Sequence, residues 1–316
     1  MMCGQRRFVV EEREHEFREL LRPLRNWGRW GEEDQRGAAN MIDEAKVQES
    51  AELVRLGVRV SLSRSIPTKA MQNNPRPADH FMQRIELGGG FGGSSDYLGI
   101  GCHGTATTHL DALCHMWDNV DGMWNGRNAS AEVSVQGASW GGVENWSTGI
   151  VTRGVLFDVA ARRPGGYVEN GRPVTAEELG DIAQSDNLGL RPGDALVIYS
   201  GRELWEAANN RLWGSPDFDG STARPGLAVS CLEFFRSADC SAIVWDMMDA
   251  RPNEYGVKSG PHAALHTLGV GLIDNAALGD LADLCSATGR RDFLLVIAPL
   301  VLEHGTGSAV NPLAIL

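Results

Sequence analysis

The apolar residues of this chain follow two spacings, and the change between them marks its elements. Residues 9 to 25 mix Glu, Arg and Leu with apolar positions every three or four residues, which predicts an amphipathic helix that Asn26-Trp27-Gly28 breaks. A second helix is expected over Met41–Leu56, with Asp43 near its start and Gly57 closing it. Val58–Leu62 is short and β-prone. Residues 67 to 80, rich in proline and polar side chains, read as loop, and the five glycines between Gly88 and Gly93 read as a flexible or tightly turned connector. Beyond residue 150 the pattern sharpens. Gly154–Val159, Ala195–Tyr199, Ser241–Trp245, Gly271–Asp274 and Phe293–Val301 are apolar strands. Thr175–Gln184, Ser230–Ser237 and His262–Leu268 are helices, the first opening on a capping box, Thr175 with Glu178. Short apolar strands alternating with helices predict an α/β protein.

Composition narrows the class. The chain has 316 residues, 42% of them apolar, long enough for one large core. Lys plus Arg total 29 against 41 Asp plus Glu, a formal net charge of −12, which disfavours nucleic acid as a partner. The arginines Arg6, Arg7, Arg13, Arg18, Arg22, Arg25 and Arg29 are interspersed with acids and read as a solvated helix face. No apolar run is long enough for a membrane helix, and the N-terminus lacks a signal-peptide core, so a cytoplasmic protein is expected. The six cysteines form no CxxC pair.

The candidate chemistry lies in residues 103 to 115. Three of the eight histidines fall there, in C-H-G-T and T-T-H-L-D-A-L-C-H: His103, His109 and His115, with Asp111 among them. On an extended strand His109 and Asp111 share a face, and a turn after Asp111 returns His115 toward it. Neutral imidazoles and a carboxylate in one pocket suit a divalent metal. A second group, His262, His266 and Asp274, has its two histidines at helical i,i+4 spacing, but H-A-A-L-H lacks the glutamate of a zincin motif, and nothing in the spacing joins it to the first group. Cys102 and Cys114 read as small packed side chains. Asp246 and Asp249 follow a strand end, where they are a catalytic group, an ion-pair partner or a cap. Met116, Trp117, Met123 and Trp124, with Trp27, Trp30 and Phe91 from elsewhere, are either an apolar substrate pocket or plain core.

These residues resemble the metal-dependent cyclase family, which includes bacterial kynurenine formamidase and isatin hydrolase. The later part of the family signature H-x-G-T-H-x-D-x-x-x-H stands as His109, Asp111 and His115, and His262 and Asp274 hold the family spacing of a histidine and an acid twelve residues apart. The blocks N-W-G-R-W-G-E-E-D-Q-R-G-A-A-N, R-G-V-L-F-D-V, R-P-G-D-A-L-V-I-Y-S-G and G-T-G-S-A-V-N-P-L-A-I extend the resemblance over residues 26 to 316. Two positions depart from the pattern. Thr105 stands where the first histidine should be, with His103 as its nearest substitute, and Asp274 replaces a glutamate.

The resemblance implies a single-domain swivelling β/β/α fold with mixed sheets over residues 26–316, preceded by a helical extension at 1–25. It implies one or two divalent ions, Zn2+ or Mn2+, held by His103, His109 and Asp111 and by Asp111, His262 and Asp274, with His115, or else His262, as the acid–base group. The implied reaction is hydrolysis of a small cyclic or aromatic amide, lactam, lactone or ester by a homodimer or homotetramer. Non-hydrolytic binding of a small molecule and a dehydratase or cyclase reaction through an enolate stand as alternatives.

Overall fold

The structure is a computed structural model. It describes residues 2–216 and 223–316, with side chains from residue 11 onward, so Arg6 and Arg7 lie outside the described side chains. Thirteen strands are present among the described residues: β1 Arg59–Ser61, β2 Asp79–Gly88, β3 Phe91–Gly99, β4 His109–Asp111, β5 Val133–Ser134, β6 Gly137–Ala138, β7 Ile150–Asp158, β8 Ala195–Tyr199, β9 Ala242–Trp245, β10 Gly271–Asp274, β11 Asp292–Ile297, β12 Gly307–Ala309 and β13 Leu313–Ile315. The helices are α1 Met2–Leu21, α2 Glu44–Ala51, α3 Ala129–Glu132, α4 Ala176–Ser185, α5 Arg202–Asn209, α6 Cys231–Ala238, α7 Ala264–Leu268 and α8 Gly279–Thr288.

Nine strands form one sheet in the order β1-β13-β11-β7-β8-β9-β10-β4-β12. The central strands β7 to β10 run parallel, and the pairs toward both edges are antiparallel. This mixed sheet with helices around it is the swivelling β/β/α architecture that the resemblance implies. β8, β9 and β10 are buried along their whole length, which explains their unbroken apolar sequences: strands covered on both faces have no polar positions to alternate.

Local signals fixed several boundaries. Asp43 caps α2 by accepting from the Lys46 backbone N–H, and the Thr175 side chain accepts from the Glu178 N–H at the start of α4. Gly269 ends α7 at φ +70°, a left-handed conformation that glycine adopts without strain. β11 stops at Ile297, two residues before Pro299, which cannot donate to a ladder.

Other expectations need correction. Residues 79–99 are a long two-stranded hairpin, not the tail of a loop and a connector. Gly88, Gly89 and Gly90, all at positive φ, make its turn. The helix expected over Met41–Leu56 is confined to Glu44–Ala51. α5 and α8 start at Arg202 and Gly279 with no cap from the preceding residue, Gly201 or Leu278, so they carried no local start signal. The arginines of the first helix and the segment after it are not simply solvated. Arg18 bonds Asp118 at 3.1 Å, Arg22 and Arg25 reach Asp121, and Arg29 grips Asp239. Phe17 and Leu21 of α1 are buried in the main core.

The segment from Asn26 to Met41 wraps the end of α7. Asn26 N–H donates to Thr267 O (3.0 Å), the Asn26 side chain donates to Leu268 O (3.0 Å), and Trp27 Nε1 donates to His266 O (2.6 Å). From the other side Trp124 Nε1 and Trp146 Nε1 donate to the Asp34 and Arg36 carbonyls. Buried indole N–H groups and a looping backbone thus satisfy each other, and α7 with the 3-10 turn Pro261–Ala263 before it is buried along its whole length.

Candidate metal centre

β4 carries His109 and Asp111 on one face, as strand alternation requires. After Asp111 the chain turns, closed by His115 N–H donating to Ala112 O at 2.9 Å, and this returns His115 Nε2 to 3.9 Å from Asp111 Oδ1. The loop before β4 brings His103 Nδ1 to 2.8 Å from the same oxygen. The His103 and His115 rings stack at 3.8 Å with 5° between their planes. His103 also packs against β12: a Cβ on Gly307 would lie 2.7 Å from His103 Cε1, so only glycine lets the ring in.

β10 lies antiparallel to β4, and in that register Asp274 sits directly across from His109. Asp274 Oδ2 is 3.9 Å from His109 Nε2 and 3.1 Å from His262 Nε2, while its Oδ1 accepts from Trp245 Nε1 at 2.5 Å. His262 Nε2 is 4.0 Å from Asp111 Oδ2. The sheet therefore joins the two groups that spacing left separate. Two donor triads result, His103–His109–Asp111 and Asp111–His262–Asp274, each with its donor atoms within 4.8 Å of one another, and Asp111 belongs to both.

Each ring is oriented from behind. His109 Nδ1 faces the Thr107 carbonyl at 2.8 Å; a carbonyl only accepts, so Nδ1 carries the hydrogen and Nε2 faces the carboxylates. His262 Nδ1 makes an ion-pair contact with Asp249 Oδ2, while Asp249 Oδ1 accepts the His262 backbone N–H at 3.0 Å. Arg224 stands 3.6 Å from Asp249 and donates to its carbonyl. His103 Nε2 lies 3.0 Å from Thr306 Oγ1. Sequence reasoning left Asp249 open and did not reach Trp245, Arg224 or Thr306, which no local spacing connects to the cluster.

Charge is concentrated here. Burial pushes the His103 imidazole down, but Asp111 and Cys102 outweigh it and hold it up at about 10. Burial likewise opposes His109, which Asp111 and Asp274 hold up at about 9. Asp111 is lowered well below the usual carboxylate range: burial works against this, and the surrounding imidazoles prevail. His115 goes the other way, to about 4, because burial and the repulsion of His103 and His262 exceed the attraction of Asp111.

Asp111 is fully buried, and its Oδ2 has no hydrogen-bond partner. A buried carboxylate oxygen without a donor is costly. With imidazole nitrogens and a second carboxylate oxygen converging beside it, the donor set fits a divalent cation.

Other residues fall elsewhere. His266 is in neither triad; it is buried on α7 with Nδ1 3.4 Å from Thr267 Oγ1. Asp246 is a backbone cap: it accepts from the Ser200, Met247 and Arg202 N–H groups and ties the end of β9 to the start of α5. Thr105, at the departing signature position, serves structure through its carbonyl, which accepts from Arg202 at 2.7 Å. Burial drives the Cys114 thiol up to about 12, out of reach as a nucleophile at neutral pH. Met123 and Trp124 are fully buried core, with Trp30 tilted against Trp124 at 6.1 Å; Met116 packs at the core's edge, Trp117 is 42% exposed, and Phe91 is 74% exposed at the hairpin tip.

A mixed α/β sheet that presents paired imidazole and carboxylate triads defines a metal-dependent enzyme acting on a small molecule. More particularly, the chain belongs to the family described as putative cyclase, which matches residues 54–250. It is similar to a crystal structure of a novel cyclase, with 28% identity over 94% of this chain and 99% of that chain and a TM-score of 0.76. Isatin hydrolase A from Labrenzia aggregata, bound to benzyl benzoate, shares the fold at 18% identity, 84% and 94% coverage and a TM-score of 0.56. Isatin hydrolase A from Ralstonia solanacearum does so at 16% identity, 81% and 91% coverage and a TM-score of 0.52. No curated protein matches the chain.

Proposed function

We propose that this chain hydrolyses a small cyclic or aromatic amide, lactam, lactone or ester, with isatin-like lactams and N-formyl aromatic amines as the first substrates to try. The observation that carries the reading is Asp111, a buried carboxylate shared by two donor triads with one oxygen unsatisfied. One or two divalent ions, Zn2+ or Mn2+, would be held by His103, His109 and Asp111 and by Asp111, His262 and Asp274. Such an ion supplies Lewis acidity and lowers the pKa of a water molecule.

The remaining work belongs to side chains of this protein. His115 stands 3.9 Å from Asp111 Oδ1 without belonging to either triad, so it is free to take a proton from the attacking water and return it to the leaving nitrogen or oxygen. His262, its tautomer set by Asp249, is the second acid–base group in line. Met116 and Trp117 follow His115 directly and offer an apolar wall to an aromatic substrate, while Met123 and Trp124 stay in the core and Phe91 stands at the hairpin tip. The reading also takes residues 1–25 as an extension on a cyclase-like domain at 26–316, and includes a cytoplasmic location and assembly as a homodimer or homotetramer.

Elemental analysis of purified protein and a lactam, formamide and lactone screen with product masses test this. A ring-opened product heavier by one water, or two fragments of a formamide whose masses add up to substrate plus water, supports hydrolysis; a product lighter by one water would replace it with dehydration. His109→Ala and Asp111→Ala should lose both metal and turnover, whereas His115→Ala should lose turnover and keep most of its metal. Wild-type metal content and rate in the first two would refute the assignment.

A further inference from the structure

Asn275 comes directly after Asp274, at the end of β10, and is completely buried. Its backbone φ of +57° falls in the left-handed region, which asparagine tolerates better than most side chains. Both ends of its side-chain amide are engaged. Nδ2 donates to Gly104 O at 2.8 Å and to Thr107 O at 2.9 Å, and Oδ1 accepts from Arg202 Nη1 at 2.8 Å. The partners fix which end of the amide is which: the two carbonyls only accept and the guanidinium only donates. The Asn275 backbone carbonyl adds a fourth tie, accepting from Thr108 Oγ1 at 2.8 Å.

These ties join two parts of the metal centre that are far apart in sequence. Gly104 follows His103, and Thr107 O also accepts from His109 Nδ1 at 2.8 Å. One amide therefore holds the loop behind both imidazoles of the first triad, and the same residue is peptide-bonded to Asp274, an acid of the second triad. Thr107 O has two lone pairs; the His109 ring takes one and Asn275 the other.

Arg202 backs the arrangement. Almost fully buried, it donates to Thr105 O at 2.7 Å and to Glu206 Oε1 at 2.9 Å while it holds Asn275 Oδ1. The carbonyls of residues 104, 105 and 107 are thus gripped by two buried side chains. A surface loop leaves such carbonyls to water; here they are fixed from inside the protein, so the places of His103 and His109 depend on that of Asn275. A looseness of about 1 Å is enough to spoil a ligand set.

We infer that Asn275 is a positioning residue that sets the first donor triad against the second, by clamping the 103–109 loop to the residue that follows Asp274. The inference rests on the divalent-metal part of the proposed function and names what holds its two ligand groups in register.

Calorimetric titration of Mn2+ and of Zn2+ into the full chain after chelation, beside urea unfolding of the same proteins, tests this. Asn275→Gly deletes the amide and keeps the left-handed backbone. Asn275→Asp keeps the shape and an acceptor for Arg202, but sets an oxygen against the Gly104 and Thr107 carbonyls. Both should bind the ion about 10–100-fold more weakly than wild type. Ser241→Ala removes a buried hydrogen bond of 2.7 Å to Gly193 O, at the end of β9 away from Trp245. It should lower stability and leave the affinity unchanged. If the glycine variant loses the far-UV circular dichroism of wild type, the aspartate variant decides. Wild-type affinity in the Asn275 variants, or an equal loss of affinity in Ser241→Ala, would overturn the role of Asn275 alone. A wild-type chain that takes up neither ion would overturn the metal reading and this inference with it.

Discussion

His266 gives the sharpest test of the physical reasoning, because it is buried, ionisable and in neither donor triad. It lies on α7 at 6% exposure, where burial lowers its imidazole to about 4; Asp118 and Asp121 pull it up, and Arg25 adds to the fall. The sign follows from proton counting. Well above pH 6.5 neither the folded nor the unfolded chain protonates this residue appreciably. As the pH falls below 6.5 the unfolded chain binds a proton that the folded chain refuses until about pH 4, so stability is lost on acidification. Between those two values the loss at pH 4.5 works out at about 2.5 kcal/mol, and at pH 7 at only about 0.2 kcal/mol. His266→Gln keeps a polar side chain of similar length without the titration. Urea unfolding of both proteins at pH 7.0 and 4.5 is the assay. The buried carboxylates titrate in both proteins and cancel in the comparison, so the variant should gain about 2–3 kcal/mol on wild type between the two pH values. A gap between the proteins that does not change with pH would show that His266 is not held neutral by burial, and the reasoning would fail.

Two further outcomes follow from the geometry. Asp249→Asn removes the anion that orients His262 and should weaken divalent metal binding by about 10–100-fold in a calorimetric titration of the chelated protein; undiminished affinity would mean that His262 needs no such partner. Gly37→Ala should cost at least about 2 kcal/mol and lower Tm by several degrees, since φ is +57° and the added Cβ would lie 2.2 Å from the Gly269 carbonyl oxygen. Gly28→Ala, with φ +73° and nothing within 4 Å, isolates the backbone term, and equal losses in the two variants would rule out the clash.

Much of this protein was legible in short stretches of sequence, because the interactions that decide it are local. Alternation along a strand placed His109 and Asp111 on one face, and a single turn returned His115. Continuous apolar runs marked β8, β9 and β10, and Thr175, Asp43 and Gly269 marked helix ends through hydrogen bonds and a backbone conformation that reach no further than a few residues. The shared-carboxylate arrangement was decided by tertiary structure alone. It depends on β10 docking antiparallel to β4 so that Asp274 faces His109, on the 3-10 turn that carries His262, and on Asp249 and Trp245 arriving from another strand and its loop. Strand order is set by how the whole sheet buries its faces, and no period within one segment encodes which segment becomes its neighbour. For the same reason His266, which matched His262 in helical spacing, turned into the core, and the hairpin at 79–99, whose strands pair only with each other, showed in the sequence only as the connector at Gly88 to Gly93 and the end of a loop at 67 to 80.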